Sequence, residues 1–265
     1  MGTNLNYAHI DLIMKKLLTI IISFSISIGF AQTTQELQPT LGYVVNKSPE
    51  GAIEFLKGQE ACEELLEQVS GATAFAKLSQ KEKEQYEKCL IDKAGYWEVL
   101  GIGCSWYCGG GLDTLSASSE LKSNSSIKYV AKNAHDLNYK TAWVEGVEGD
   151  GIGESLTYHF PPENPRITKI IIVNGYVKSE KTWRENSRVK QLKMYLNEEA
   201  FAILNLADTR AEQSFSFEPI GNADRENLTE QPRWTMRFEI MDVYKGDKYA
   251  DTAITEIYFD GIDVH

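Results

Sequence analysis

The sequence is poor in positive charge. Its 265 residues include 27 Lys and Arg against 38 Asp and Glu, which gives a formal net charge of −11. No basic cluster offsets this excess, and a chain this acidic is a poor partner for nucleic acid or for an anionic membrane surface. The composition therefore excludes nucleic acid as a partner.

Residues that commonly carry catalysis are also scarce. The chain has four histidines and no Gly-x-Ser-x-Gly nucleophile elbow. Only His135, beside Asp136, lies in a polar loop, whereas His159 alternates with apolar neighbours and is expected to face solvent. Glu145 and Asp150 could serve as acid and base in glycoside hydrolysis, but charged loop residues are mostly solvated. We therefore predict that the protein is not an enzyme.

The N-terminus resembles an export signal. Met14, Lys15 and Lys16 precede an apolar run at residues 17–30, which ends in small residues before Gln32. The run is short for a bilayer crossing, so a signal peptide at residues 14–31 is favoured over a membrane anchor. Residues 1–13 then represent an over-extended start. We expect a secreted, periplasmic or cell-surface protein without stable membrane insertion after cleavage.

Four cysteines suit an exported chain with disulfides. Local geometry favours the pairs Cys62–Cys89 and Cys104–Cys108 among three possible connectivities. A zinc site built on Cys104-Ser-Trp-Tyr-Cys108 is the competing interpretation, although the spacing is unusual and no histidine lies nearby. Free thiols are the third possibility.

The first cysteine pair lies on two predicted helices. One helix begins at Ser48-Pro49, an N-cap followed by proline, and the other begins at Ser79, whose capping box is completed by Glu82. A disulfide between them would contribute about 3 kcal/mol in the loop-entropy model. We therefore predict a helical accessory region at residues 32–100, with a disulfide-stapled helical hairpin.

From Glu120 onwards the pattern changes to short runs with period-two alternation. Residues 167–177 form a nearly continuous apolar run. Between Trp234 and Ile240 every second residue is apolar, and Gly, Asn, Asp and Pro separate the runs. Seven or eight such strands without intervening helices predict a mainly β, antiparallel sandwich.

One segment is too polar and glycine-rich to fill a core. Residues 133–154, here called the opening loop, read NAHDLNYKTAWVEGVEGDGIGE. Its glycine half, Gly149 to Gly153, superficially matches a dinucleotide fingerprint, but a strand rather than a helix follows. A tight hairpin leading into that strand is the favoured interpretation.

The order Asn-Ala-x-Asp followed by Thr-x-Trp in the opening loop resembles discoidin (coagulation factor 5/8 type C) domains. The resemblance extends to the blocks at 103–111, 170–190 and 238–264. It is closer still to the subgroup in secreted NAD glycohydrolases, where such a domain binds glycans and assists toxin translocation. It implies a galactose-binding-like jelly-roll sandwich at residues 101–265.

The resemblance also implies a metal. Related modules often bind calcium in this loop, and the matching positions are Asp136, Thr141 and Glu256, with Asn138 as an addition. Such oxygen ligands suit calcium. The chain departs from the family at Leu137, where glycine is usual. The alternative is that Asp136 and Thr141 cap turns.

Sugars are recognised by aromatic faces and by planar polar groups that fork onto hydroxyls. The loop at residues 178–188 supplies both, and a second loop at 244–249 extends the same end of the molecule. The predicted glycan-binding residues are Trp183, Arg184, Asn186, Arg188, Asn174, Tyr176 and Tyr249. The alternative is that Trp183 packs beneath its own loop and Arg188 pairs with an acidic residue.

Together these expectations describe a secreted, non-catalytic carbohydrate-binding protein whose partners are glycans or glycoconjugates. An adhesive protein- or lipid-interaction module is the alternative. A glycan- or NAD-directed hydrolase is the least favoured interpretation.

Overall fold

The computed structural model describes residues 34–69, 71–91, 95–99 and 106–264. The predicted over-extended start at 1–13, the predicted signal peptide at 14–31 and Cys104 lie outside these residues. The export signal and the Cys104–Cys108 pair therefore stay predictions. Among the described residues, no helix has both the length and the apolar character needed to cross a bilayer.

Apolar alternation produces a sandwich of eleven strands in the described part of the chain. The strands are β1 (Gln35–Leu37), β2 (Thr40–Val44), β3 (Thr114–Ala117), β4 (Trp143–Val144), β5 (Ser155–Phe160), β6 (Arg166–Asn174), β7 (Ser187–Leu196), β8 (Glu199–Asn205), β9 (Ala211–Ile220), β10 (Trp234–Tyr244) and β11 (Thr252–Ile262). One layer has the order β2-β9-β6-β11, with β4 on β11, and the other has the order β3-β5-β10-β7-β8-β1. A short parallel contact between β11 and β7 links the two layers.

The core between the layers confirms the predicted period. Trp234, Met236, Phe238 and Ile240 are all buried, while the residues between them face outward. Phe160 from β5 stacks on Trp234 with ring centroids 4.1 Å apart. Each such side chain contributes about 1.5–3 kcal/mol on full burial, so the register of β10 is strongly determined. The predicted mainly β jelly-roll sandwich is confirmed.

Two strands come from the region predicted as a helical accessory. β1 pairs in parallel with β8, and β2 pairs antiparallel with β9 in the opposite layer. Only Gln38 and Pro39 separate them, and proline suits this corner because it cannot donate to a ladder. The segment before the helices therefore joins the edges of both layers.

The predicted helical hairpin follows β2. Its helices are α1 (Pro49–Gln68), α2 (Ala72–Ala76) and α3 (Gln80–Ile91). Ser48 caps α1 by accepting a bond from the Gly51 N–H at 3.0 Å. The predicted box at Ser79 is present, since Ser79 N–H donates to the Glu82 carboxylate at 2.7 Å. The Cys62–Cys89 disulfide is confirmed and joins α1 to α3.

The base of the hairpin pairs with the opening loop. Val99 N–H donates to Leu137 O at 3.0 Å, and Tyr139 N–H donates to Trp97 O at 2.8 Å. Lys47 Nζ lies 4.7 Å from the centroid of the Tyr96 ring. These contacts belong to a second apolar cluster, which lies outside the main core and contains Val45, Val99, Tyr139, Ile171, Val173, Val177 and Tyr258. The hairpin is thereby anchored on the sheet that holds β6 and β11.

Candidate functional site

Strand directions bring three loops together at one end of the sandwich. Tyr244 at the end of β10 pairs with Arg188 near the start of β7, and Thr252 at the start of β11 pairs with Ser187. We call residues 175–186, 206–210 and 245–251 the loop end. All the predicted glycan-binding residues lie in it or at the strand ends beside it.

Trp183 lies in a short helix, α4 (Glu180–Glu185), which Ser179 caps through a box with Thr182. Its Nε1–H donates to Asn174 O at 3.0 Å. The Arg188 guanidinium lies 4.6 Å from the centre of the ring. The indole is thus half-buried beneath its own loop, which matches the alternative interpretation of its role.

Arg188 ties the three loops together. It is 7% exposed, and its Nε and Nη2 fork onto the Asp208 carboxylate at 2.9 and 3.0 Å. Its Nη1 donates to Asn186 O at 3.1 Å and to Lys245 O at 3.3 Å. A forked pair with these additional bonds leaves little capacity for a ligand.

Three other predicted residues are also committed to internal bonds. The Asn174 side chain is fully buried and both donates to and accepts from the backbone of Val189, at 2.7 and 2.9 Å. Asn186 Nδ2–H donates to Thr182 O at 2.7 Å, at the end of α4. The Tyr176 hydroxyl donates to Lys140 O at 3.3 Å, and burial raises the pKa of Tyr176 to about 12. These residues fix the shape of the loop end.

Arg184 and Tyr249 remain open to solvent. Tyr249 is 42% exposed, and Lys248 Nζ lies 4.6 Å from the centroid of its ring. Arg184 pairs with Glu180 at 3.0 Å. The loop that carries Tyr249 is held against α4, because Lys248 and Tyr249 N–H both donate to Glu185 O. We call Arg184, Lys248 and Tyr249 the ring platform.

A polar cleft of about 440 Å³ lies beside the loop end, where β1 and the corner after it meet β7 and the ends of β8 and β10. Within it, Gln191 Nε2–H donates to Asn205 Oδ1 at 2.7 Å, and Asn205 Nδ2–H donates to Glu36 Oε2 at 3.3 Å. Gln38, Lys190 and Tyr244 also line the cleft. Sequence reasoning missed this site because its walls are distant in sequence, and only Tyr244 lay within a predicted binding loop.

The predicted metal ligands Asp136 and Glu256 form a buried carboxylate pair. Glu256 is fully buried, and burial raises its pKa well above the usual value, with Asp136 raising it further. Asp136 Oδ1 and Glu256 Oε2 are buried without a hydrogen-bond partner in the described part of the chain. Such orphaned carboxylate oxygens fit a hard cation.

The other two predicted ligands differ in placement. Thr141 Oγ1–H donates to Asp136 Oδ2 at 2.7 Å, so the hydroxyl lies beside the carboxylate pair. The Asn138 side chain instead accepts from Lys140 N–H at 2.9 Å, while its backbone N–H donates to Glu256 at 2.8 Å. The described residues contain no group of three or more His, Cys, Asp or Glu placed to hold a metal.

The glycine half of the opening loop is organised around Glu145. This buried carboxylate accepts from Thr252 N–H at 3.0 Å and from Val147 N–H at 2.9 Å. Gly151, at φ +69°, lies directly against the Glu145 side chain, where a Cβ would clash. Asp150 pairs with Lys245 instead, at 3.3 Å. Glu145 and Asp150 therefore do not pair with each other. Each bonds to a different group within the fold, which is typical of residues with a structural role.

His135 lies in the aromatic part of the core. Its Nδ1 is 2.7 Å from Ile257 O, and the ring packs against Tyr158 and Phe259. Burial lowers the pKa of His135. An imidazole held between core aromatic rings and a backbone carbonyl has a packing role.

The two antiparallel-rich layers, the polar loop end and the opening loop define a discoidin-like domain. The family model described as NAD glycohydrolase translocation F5/8 type C domain matches residues 106–260. The chain belongs to this family. The N-terminal strands and the helical hairpin lie outside the matched residues.

No curated protein matches the sequence. Among solved structures, the chain is similar to CBM32-1 and CBM32-2 of ZmpB from Clostridium perfringens, with 11% identity, TM-score 0.42, and coverage of 82% of this chain and 54% of that one. It is also similar to CBM32-3 of a family 31 glycoside hydrolase from Clostridium perfringens, with 17% identity, TM-score 0.38 and coverage of 56% and 91%. A third similar structure is arabinofuranosyltransferase AftD from Mycobacteria, with 11% identity and TM-score 0.38. The match covers 58% of this chain and 11% of that one.

Proposed function

We propose that this protein is a non-catalytic glycan-binding protein and that the polar cleft takes the sugar. The observation that carries the proposal is the continuous hydrogen-bonded row of Glu36, Asn205 and Gln191 along the cleft. A carboxylate and two carboxamides in a row offer alternating acceptors and donors, which is what vicinal hydroxyls require.

The row has unused capacity. Its bonds within the described residues use one oxygen of Glu36 and the nitrogen of Gln191, so the second carboxylate oxygen and the Gln191 Oε1 acceptor are available. The Lys190 ammonium is held at the rim by Asp242 at 2.6 Å. The Tyr244 hydroxyl donates to Leu206 O at 3.0 Å, which fixes an aromatic side chain in the cleft wall.

The ring platform is the second candidate surface. An exposed tyrosine on a loop held by backbone bonds, with the Lys248 ammonium over its ring, has the chemistry of a sugar-stacking site. It includes two of the residues predicted from the sequence, Arg184 and Tyr249.

Substitutions in the polar cleft and in the ring platform distinguish the two candidate binding surfaces. Glycan-array binding and titration with N-acetylgalactosamine, the ligand in one ZmpB structure, would be measured for wild type, for Gln191→Ala with Asn205→Ala, and for Tyr249→Ala. We expect the cleft variant to lose binding and Tyr249→Ala to retain it. Gln80→Ala, which removes an exposed amide from α3, is the control. The opposite pattern would assign binding to the ring platform, and no glycan binding by wild type would refute the function.

We also propose that Asp136 and Glu256 hold a structural calcium ion with the help of Thr141. When bound, the ion would neutralise the carboxylate pair and fix the opening loop. Calcium added to chelator-treated protein should raise the melting temperature, because a ligand that binds only the folded state stabilises it. The rise should vanish in Asp136→Asn and persist in Asp260→Asn, a surface carboxylate on β11 paired with Lys169. No heat of binding in calorimetry would exclude the ion.

We also propose that the protein has no catalytic activity and that it is exported. Incubation with NAD and with glycoside substrates should give no turnover above a buffer control. Sequencing of the mature N-terminus should find cleavage near Gln32, and an uncleaved N-terminus in an exporting host would contradict the proposed signal peptide.

A further inference from the structure

Residues 95–99, which we call the hairpin base, form an ordered turn outside the residues matched by the family. Glu98 N–H donates to Gly95 O at 3.0 Å, and the Glu98 carboxylate accepts from Gly95 N–H at 2.8 Å. Val99, the last residue of the turn, is 4% exposed and belongs to the second apolar cluster. The hairpin base is therefore a defined element of the fold rather than a loose connection.

The hairpin base pairs with the opening loop as a short antiparallel ladder centred on Glu98 and Asn138. Val99 N–H donates to Leu137 O at 3.0 Å, and Trp97 O accepts from the N–H of the residue after Asn138 at 2.8 Å. Both bonds therefore come from residues that flank the central pair. In such a pair the backbone N–H and C=O groups of the two central residues point away from each other. The N–H and C=O of Asn138 are thus directed away from the hairpin base.

On its other side, the Asn138 backbone contacts the proposed calcium site. Its N–H donates to Glu256 Oε1 at 2.8 Å. Its C=O accepts from Thr141 N–H at 3.3 Å, and the Thr141 hydroxyl donates to Asp136 Oδ2 at 2.7 Å. One residue of the opening loop therefore connects the hairpin base to all three side chains proposed to hold the ion.

Leu137 connects the same two parts through its side chain. Its φ is +59°, in the left-handed region that residues other than glycine rarely adopt. Its side chain packs against the second apolar cluster, which contains Val99, and Trp97 packs against this cluster as well. A strained backbone conformation persists only where its surroundings hold it. The surroundings that hold Leu137 include the hairpin base.

We infer that the hairpin base positions the opening loop for cation binding, so that calcium affinity depends on the ladder between them. The inference rests on the proposed calcium site. Trp97 and Val99 are positioning residues, because they act through the backbone of residues 137–139 and not on the ion itself. Coupling of this kind is reciprocal. Calcium binding must therefore also stabilise the ladder.

The test titrates the chelator-treated full chain with calcium in a calorimeter and compares two substitutions at one position. Val99→Pro removes the N–H that donates to Leu137 O, whereas Val99→Ala keeps it. Both variants lose the valine side chain from the apolar cluster. We expect Val99→Pro to weaken calcium binding by about tenfold, within the range usual for coupled sites, and Val99→Ala to remain close to wild type.

Val45→Ala separates the coupling from a loss of stability. Val45 is a buried member of the same apolar cluster, but its N–H donates to Arg210 O at 3.1 Å rather than to the opening loop. This variant should lower the melting temperature in chelator and leave the calcium dissociation constant unchanged.

Hydrogen exchange in the unsubstituted protein measures the reciprocal effect. Calcium should slow exchange of the Val99 and Tyr139 amides, which form the ladder but are not proposed ligands. The Val45 amide serves as the internal reference and should not change. Asp136→Asn should abolish the slowing. This measurement decides the question even where Val99→Pro does not fold.

The outcomes distinguish the inference from the calcium site on which it rests. Calcium binding with equal affinity to wild type and Val99→Pro, or without any change in Val99 exchange, would overturn the inference and leave the calcium site in place. An equal loss of affinity in Val45→Ala and Val99→Pro would also overturn it, because the effect would then be one of stability. No calcium binding by wild type would remove both, while glycan binding is tested separately.

Discussion

At the scale of single residues, Gly175 controls the shape of the loop end. Its φ of +77° is a conformation that residues with a side chain rarely adopt. A Cβ there would lie 2.5 Å from Arg188 Cγ and 2.8 Å from Trp183 Cδ1. The indole and the guanidinium can therefore stack beside the chain only because position 175 lacks a side chain.

Gly175→Ala should destabilise the fold by about 2–3 kcal/mol, since backbone strain and a clash act together. Urea unfolding measures the loss. Gly153→Ala is the matched control, because Gly153 also has a positive φ, +92°, but open space around it. Equal losses in the two variants would mean that strain alone matters and that the Trp183–Arg188 stack can move aside.

The Glu256 carboxyl should make stability fall as the pH rises. Burial raises its pKa in the folded chain above the ordinary value of 4.5, which applies in the unfolded chain. Between these two pKa values the folded state keeps a proton that the unfolded state has lost. Its stabilising effect is therefore full below about pH 4.5 and is lost as the pH passes the folded-state value.

Melting temperatures in chelator between about pH 5 and pH 8 test this effect, because each unit of pKa difference is worth about 1.4 kcal/mol. Wild type should lose stability across this range relative to Glu256→Gln, which cannot titrate. Parallel curves for the two proteins would show that the carboxyl does not titrate differently on folding. With calcium in place of the proton, the slope of wild type should flatten.

At the scale of elements, the hairpin should unfold separately from the sandwich. The main core cluster contains no residue of α1 or α3, so these helices are held by each other, by their disulfide and by the contact of Phe55 with Tyr96 at the base of the hairpin. Cys62→Ser with Cys89→Ser should destabilise the hairpin by about 3 kcal/mol. Hydrogen exchange should accelerate within residues 49–91 and stay slow in β6, β10 and β11. Equal acceleration in those strands would show one cooperative unit.

The elements that the sequence predicts correctly are those whose formation depends on residues close together in the chain. The alternation from Trp234 to Ile240 and the caps at Ser48 and Ser79 each depend on residues within one element. They are present in the structure. The Cys62–Cys89 pair followed from placing each cysteine on a correctly predicted helix.

The parts that sequence could not predict depend on distant residues. Asn205 meets Glu36 across 169 positions, and that contact exists only because β1 pairs with β8. Similarly, a tryptophan in a polar loop can be exposed or covered. Gly175 and Arg188 determine that the Trp183 side chain is covered. Their positions follow from the pairing of strands rather than from the loop itself.

At the scale of the whole molecule, β2 is an exposed edge. All five of its residues are exposed, and Leu41 and Val44 are 53% and 54% exposed. Residues 40–46 carry no charge. Edge strands without charges or proline favour pairing between molecules.

Leu41→Lys should therefore slow aggregation at elevated temperature while changing stability by less than about 0.5 kcal/mol, as is usual for surface sites. Light scattering during heating measures the rate. Ile152→Lys, at a 60% exposed loop residue, adds the same charge away from the edge and should have a smaller effect. An equal effect would attribute the change to net charge alone.

The pairing of β1 with β8 and of β2 with β9 has a consequence for how the chain acquires its structure. Each of these strands precedes its partner by more than a hundred residues, so closing them requires long loops, which slows folding. A growing chain would expose the N-terminal strands until β8 and β9 had been synthesised. The hairpin between them contains mostly local contacts and its own disulfide, so it can form first. Because its walls include Glu36 on β1 and Tyr244 on β10, the polar cleft would then be completed only after β1 has closed onto β8 and β10 has been synthesised, and the presence of the cleft would report that both steps have occurred.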